Sequence, residues 1–128
     1  MPAAPLNASA VLARAQTAGR GVLVVCAGLR GAYAEDDTLA AGLFVDRLVE
    51  AGYEPGAEAR EALDRYRATD GDLGGAFRRT EHGARLVEIG FDSDIDLCAT
   101  VDRYAVVGAL TVEGGLPVIR PLAERSGN

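Results

Sequence analysis

Residues 21–45 read GVLVVCAGLRGAYAEDDTLAAGLFV. The stretch opens on a Val-rich apolar run, Gly21–Cys26, and such a run suits a strand covered on both faces. Ala27–Ala34 reads as a loop in which Gly28 and Gly31 permit unusual backbone angles. Three acids follow, Glu35, Asp36 and Asp37, and a long apolar segment comes after them. That segment predicts a helix from Asp37 or Thr38 to about Ala51, stopped at Gly52. Its apolar residues cover most of the circumference, with only Asp46, Arg47 and Glu50 clearly polar, which describes a helix buried between layers. Gly42 sits mid-helix at a cost of roughly 1 kcal/mol against Ala, and close approach by another backbone is the usual compensation.

On the N-terminal side, Asn7 is a candidate N-cap and Ala8–Ala18 carry strong helix formers, ended by Gly19 and Gly21. On the C-terminal side the pattern predicts a turn at Tyr53–Gly56 and an amphipathic helix over Ala57–Arg67. A break at Thr69–Gly75 leads to a short helix ending at Arg79. Helices follow over Glu81–Ile89, capped by Thr80, and from Asp92 or Ser93 to Ala99. The period then changes to two. Tyr104–Val112 and Leu116–Arg120, joined by the Glu113-Gly114-Gly115 turn, predict a hairpin. Helix, strand, several helices and a hairpin make one layered α/β/α domain with a small mixed sheet. Three strands are few for so apolar a central helix, so the chain reads as part of a sheet whose other strands lie elsewhere.

With 128 residues, 48% hydrophobic and 25% charged, the chain suits a single domain of ordinary globular composition. All thirteen basic residues are Arg, which excludes Schiff-base and P-loop lysine chemistry. The net charge of -6 and the interspersed charges leave no basic patch for nucleic acid. An anionic substrate would need a local Arg or a divalent cation as a bridge. Cys26 and Cys98 stand in no metal-binding or redox spacing, the N-terminus does not read as a signal peptide, and no run is long enough to span a membrane. These features point to a reducing, cytoplasmic setting.

The loop between strand and helix lies where open α/β sheets bind ligands. Cys26 with Arg30 lacks the spacing of a cysteine phosphatase, and Cys26 reads rather as a small residue at a crowded strand end. Glu35, Asp36 and Asp37 favour a helix N-terminus through its dipole by roughly 0.3–1 kcal/mol each. They also exceed what capping needs, and a hard cation such as Mg2+ takes one or two carboxylates plus substrate oxygens. Arg30 is either an anion clamp or a solvated loop residue. His82 is the single histidine and has no partner legible in the sequence. Asp92, Asp94 and Asp96 read as a solvated helix start.

Several stretches together resemble the 2-phosphosulfolactate phosphatases: NASA at 7–10, VLVVCAG at 22–28, DDTLAAG at 36–42, HGARLVEIGFDSDIDLC at 82–98 and VDRYAVV at 101–107. The resemblance covers roughly residues 6–112 and corresponds to the carboxy-terminal half of that family's longer chains. It implies a Mg2+-dependent phosphoric monoester hydrolase associated with coenzyme M biosynthesis, acting on a small anionic phosphate ester. By position it places the family's acidic pair on Asp36 and Asp37 as catalytic residues, with Glu35 beside them as a metal ligand. The strand-end loop, Cys26, Ala27 and Gly28 with Arg30, would approach the substrate. The other reading is a non-catalytic α/β module that binds an anionic metabolite, or a partner chain or second copy that completes its sheet.

Overall fold

The computed structural model describes residues 1–122. A single 3-10 turn at Pro5–Asn7 leads into α1 (Ala8–Gln16). The remaining helices are α2 (Glu35–Glu50), α3 (Ala57–Arg67), α4 (Leu73–Arg79), α5 (Glu81–Glu88) and α6 (Asp92–Ala99). Two strands, β1 (Gly108–Glu113) and β2 (Leu116–Pro121), complete the described chain. Helices and a sheet are both present, so the mixed α/β class holds.

Helix α2 is the hub. Leu39, Ala41, Leu43, Phe44, Val45 and Leu48 are all buried on it. Leu43, Phe44 and Leu48 join Ala8, Val11 and Leu12 of α1 in one core, against which Val22 and Val24 pack. Leu39 joins Leu73, Ala76, Phe77 and Ile95 in a second core built with α4 and α6. One helix feeding two cores needs apolar residues nearly all round, as its sequence has.

Gly42 shows the close approach that the sequence suggested. A Cβ there would collide with the Ala62 carbonyl oxygen and the Tyr66 Cβ of α3. Helix ends depart from expectation in three places. Asn7 does not cap α1 with its side chain; its Oδ1 accepts from Ala4 N (2.9 Å) and its Nδ2 donates to the Val106 carbonyl (3.0 Å). Helix α2 begins at Glu35, so the acids fill its first turn rather than precede it. Phe91, not an Asp or Ser side chain, stands at the start of α6. Thr80 caps α5 as expected, accepting from Gly83 N at 3.0 Å.

The sheet is smaller than the sequence suggests. It is one antiparallel pair in register from Gly108↔Pro121 to Glu113↔Leu116. Its two-residue turn, Gly114-Gly115, has positive φ at both positions (58° and 80°), which matches the twist of the strands it joins. The expected mixed sheet and the strand over Gly21–Cys26 are not formed among the described residues. The segment keeps the side-chain alternation of a strand, with Val22 and Val24 inward and Leu23 (86% exposed) and Val25 (78% exposed) outward. It makes no ladder because no neighbouring strand lies beside it, and a strand is defined by its pairing. Tyr104–Val107 also falls outside the ladder, since Tyr104 N donates to the Leu6 carbonyl (2.8 Å) instead.

Asp102 braces the N-terminal half to the C-terminal one. Its carboxylate accepts from Ser9 N (2.7 Å), Ser9 Oγ (2.8 Å) and Arg47 Nη1 (2.8 Å), joining α1, α2 and the turn after α6. Burial pushes this carboxyl up, but the Ser9 donors and the Arg47 guanidinium together hold it below the ordinary carboxylate range.

Two outcomes follow. Gly42→Ala gains roughly 1 kcal/mol of helix propensity but forces backbone against backbone, so we expect a net loss of about 1–3 kcal/mol in urea unfolding. Asp102 has a depressed folded pKa, so its contribution is present above the unfolded carboxylate value and lost as pH falls through the folded one. Asp102→Asn, which tolerates the left-handed backbone at this position (φ 58°), should therefore cost about 1 kcal/mol near neutral pH. In urea melts well below the carboxylate range the two proteins should converge.

Candidate active site

The three acids of α2 do not converge. Successive helix residues are about 100° apart, so adjacent side chains leave in different directions. Glu35 turns to Arg65 of α3 (3.5 Å). Asp36 turns to His82 at the start of α5, with Oδ2 2.9 Å from Nδ1. Asp37 turns back to the strand-end loop, where its Oδ2 accepts from Gly28 N at 2.6 Å. The expected grouping of Glu35 with Asp36 and Asp37 as metal ligands is thus not seen. Among the described residues no three His, Cys, Asp or Glu side chains come together as a metal cluster.

What forms instead is an Asp36–His82 pair over a cavity of about 260 Å³. Asp37, Thr80, Asp94 and Cys98 also line it, above an apolar floor that includes Phe77 and Ile95. Asp36 Oδ1 is buried and has no hydrogen-bond partner. Buried polar atoms are nearly always paired, so an orphan carboxylate oxygen at a cavity marks a place for a donor or a cation. His82 is held by the local fold. Thr80, only 2% exposed, caps α5, and Gly83 lies against the Phe77 carbonyl where a Cβ would not fit. These two residues fix the first turn of α5 and present His82 across 46 residues of sequence to Asp36.

The loop residues sort into two groups. Cys26, Ala27 and Asp37 line a second hollow of about 540 Å³, so Asp37 stands on a wall shared by both cavities. Gly28 (φ 73°) has no room for a Cβ against the Ala32 carbonyl. Arg30 is placed elsewhere. It occupies, with Gly31, the centre of a tight turn closed by Leu29 N to Ala32 O (3.0 Å) and Ala32 N to Leu29 O (2.9 Å). It is exposed and makes no hydrogen bond or ion pair among the described residues. Cys26 is not an activated thiol, because partial burial and, secondarily, the Asp37 carboxylate push its pKa up.

Sequence reasoning left His82 without a role. A Thr80-x-x-Gly83 cap located it at a helix start, but nothing in the spacing links it to Asp36. Asp94 belongs to the expected solvated helix start and Cys98 carries no spacing signal, and folding of α6 against α5 brings both to the cavity.

The chain matches the family model described as 2-phosphosulpholactate phosphatase over residues 1–113. It belongs to the 2-phosphosulfolactate phosphatase family. Three relatives carry the name "Probable 2-phosphosulfolactate phosphatase". The Deinococcus radiodurans protein is 35% identical over 90% of this chain and 48% of its own length. The Thermotoga maritima protein is 33% identical over 82% of this chain and 45% of its own. A Synechococcus protein (strain WH7803) is 37% identical over 77% and 41%. The chain spans about half the length of the relatives it matches. Among the described residues of this phosphatase-family chain, no helix is long and apolar enough to cross a membrane.

The Asp37 carboxylate disfavours the Cys26 thiolate, so removing its charge should release it. We expect Asp37→Asn to speed alkylation of Cys26 by about twofold or more at mildly alkaline pH, followed by mass spectrometry of the Cys26 peptide. An unchanged rate would separate the two groups electrostatically.

Proposed function

We propose that this chain carries the acidic side of a Mg2+-dependent phosphatase site that hydrolyses 2-phosphosulfolactate, or a related small phosphate ester, to sulfolactate and phosphate. The observation that supports it is the orphan, buried Oδ1 of Asp36, a residue that lines the cavity together with His82 and Asp37. The donor set suits the cation. Mg2+ favours oxygen ligands and commonly takes one or two protein carboxylates, leaving its other positions to water and substrate oxygens. Asp36 would hold it; Asp37, whose Oδ2 accepts from Gly28 N, stands on the wall of the same cavity and would be the second carboxylate. When bound, the cation supplies neutralisation of phosphoryl oxygens and of the substrate's negative charge.

The chain's own residues do the rest. His82 Nδ1, donating to Asp36, orients that carboxylate. The same tautomer leaves Nε2 of this cavity-lining residue as an acceptor, able to take a proton from a water or return one to the departing alkoxide. Asp37 holds Gly28 and thereby the loop from Cys26 to Gly28, whose position at the end of the Val-rich segment suits it to the phosphate or sulfonate. Arg30, exposed at its turn on the same loop and unpaired among the described residues, would serve as the anion clamp. The two free cysteines fit a reducing cytoplasm, and the substrate would place the reaction in coenzyme M biosynthesis. The alternative, a non-catalytic module, draws support from the same exposed Val-rich segment that asks for a partner chain or second copy.

The test uses two readouts. Phosphate release from 2-phosphosulfolactate should require Mg2+ and fall about 100-fold or more in Asp36→Asn. Independently of turnover, Mn2+ titrated into the chain and followed by electron paramagnetic resonance should bind, and Asp36→Asn should weaken it about tenfold or more. Equal Mn2+ binding by both proteins would remove Asp36 as a ligand.

A further inference from the structure

Residues 20–27 make no backbone hydrogen bond with any described part of the chain. Both edges of the Val22–Cys26 segment are therefore open, and the flanks of each are already shaped. On one side a hollow of about 590 Å³ is walled by Val45, Leu48 and Val49 of α2 and by Ala59 and Ala62 of α3. On the other the 540 Å³ hollow is walled by Val11, Leu12 and Ala15 of α1 and by Phe44. The helical layer extends past the segment on both sides, and Met1, Pro2 and Ala3 also line the second hollow. Outward, Leu23 and Val25 form an exposed apolar face. Apolar alternation, unpaired main-chain groups and a helical layer wider than the strand it covers are the marks of a central strand without its neighbours.

The matched relatives have more than half of their own length outside the matched region. We infer that Val22–Cys26 is the acceptor for two β-strands, one on each edge, supplied by a polypeptide equivalent to that unmatched half. Those strands would be rich in apolar β-branched residues, and a further layer from the same polypeptide would cover Leu23 and Val25. A second copy of this chain fits less well. Edge-to-edge pairing of two copies fills one edge of each and leaves the other hollow and the Leu23–Val25 face open. The inference stands on strand geometry and chain length, so it can fail while the metal-site reading holds, and the reverse.

The probe is the unmatched part of the Deinococcus radiodurans relative, co-expressed with this chain and, in parallel, joined to it by a flexible linker that keeps the two at high effective concentration. Amide hydrogen exchange is read at residues 21–27. In this chain alone those amides should exchange as open backbone does. With the partner they should slow about 100-fold or more. Leu23→Asp changes an exposed residue that the chain's own core does not use, so it should leave the melt of the chain alone unchanged while weakening the complex about tenfold or more. Two results overturn the proposal: exchange at 21–27 that is as fast with the partner as without it, in both formats, or protection in this chain alone that grows with its concentration, which would assign the edges to a second copy.

Discussion

At Gly42 helix α2 presents bare backbone, and the Ala62 carbonyl and Tyr66 Cβ of α3 occupy the space a side chain would take. This approach sets the distance between the two longest helices and so the height of everything packed on them. Tyr66 reaches both hydrophobic cores from there. The Glu35–Arg65 pair and the Asp46–Arg67 pair (2.8 Å) flank the contact on its solvent side. Such partly exposed pairs are worth little in stability, and what they add is register between helices already held by packing.

Rigid placement of α2 matters because its first turn distributes the acids. A helix cannot point three consecutive carboxylates at one spot, so the fold assigns them to three neighbours. Glu35 goes to α3, Asp36 to α5, and Asp37 to the loop behind. The helix dipole favours all three charges at this end, which lets the chain carry them while only Asp36 keeps an oxygen unpaired in the interior. The site is thus a junction of helix starts, α2 and α5, with α6 closing one side. The dipoles at both starts favour negative charge or an anionic ligand bridged by a cation.

The sequence made most of this fold legible where periodicity was strong. The boundaries of α3 coincide with the predicted ones, the Gly114-Gly115 hairpin turn was readable from its glycines, and Gly42 announced a helix–helix contact. What could not be read was anything depending on distant partners. The Gly21–Cys26 run has the composition and alternation of a strand, yet pairing is a property of two segments. Asn7 looked like a cap and serves instead as a clamp on Ala4 and Val106. In the site, Asp36 stood out by local composition alone, whereas its pairing with His82 became visible only once α5 packed beside α2. Glu35 follows the same lesson: its nearness to Asp36 in sequence said nothing of the Arg65 side chain that it faces in the fold.

The unpaired segment and the acidic site are one mechanical unit. Val22 and Val24 seat the segment on the α1–α2 core, and two residues after Cys26 the Gly28 amide is fixed to Asp37 at the start of α2. That charge-assisted bond is the one hydrogen bond tying residues 20–28 to the rest of the described chain. Residues 20–27 are thus held by the packing of Val22 and Val24 and by one downstream hydrogen bond, with no ladder to add cooperativity. Strands laid along both edges would supply that ladder, and the order would pass through Gly28 to Asp37 and to the wall shared by the two cavities. On this view the neighbouring strands do more than cover apolar surface. They order the loop that Asp37 holds, so the completeness of the sheet and the order of the first turn of α2 rise together.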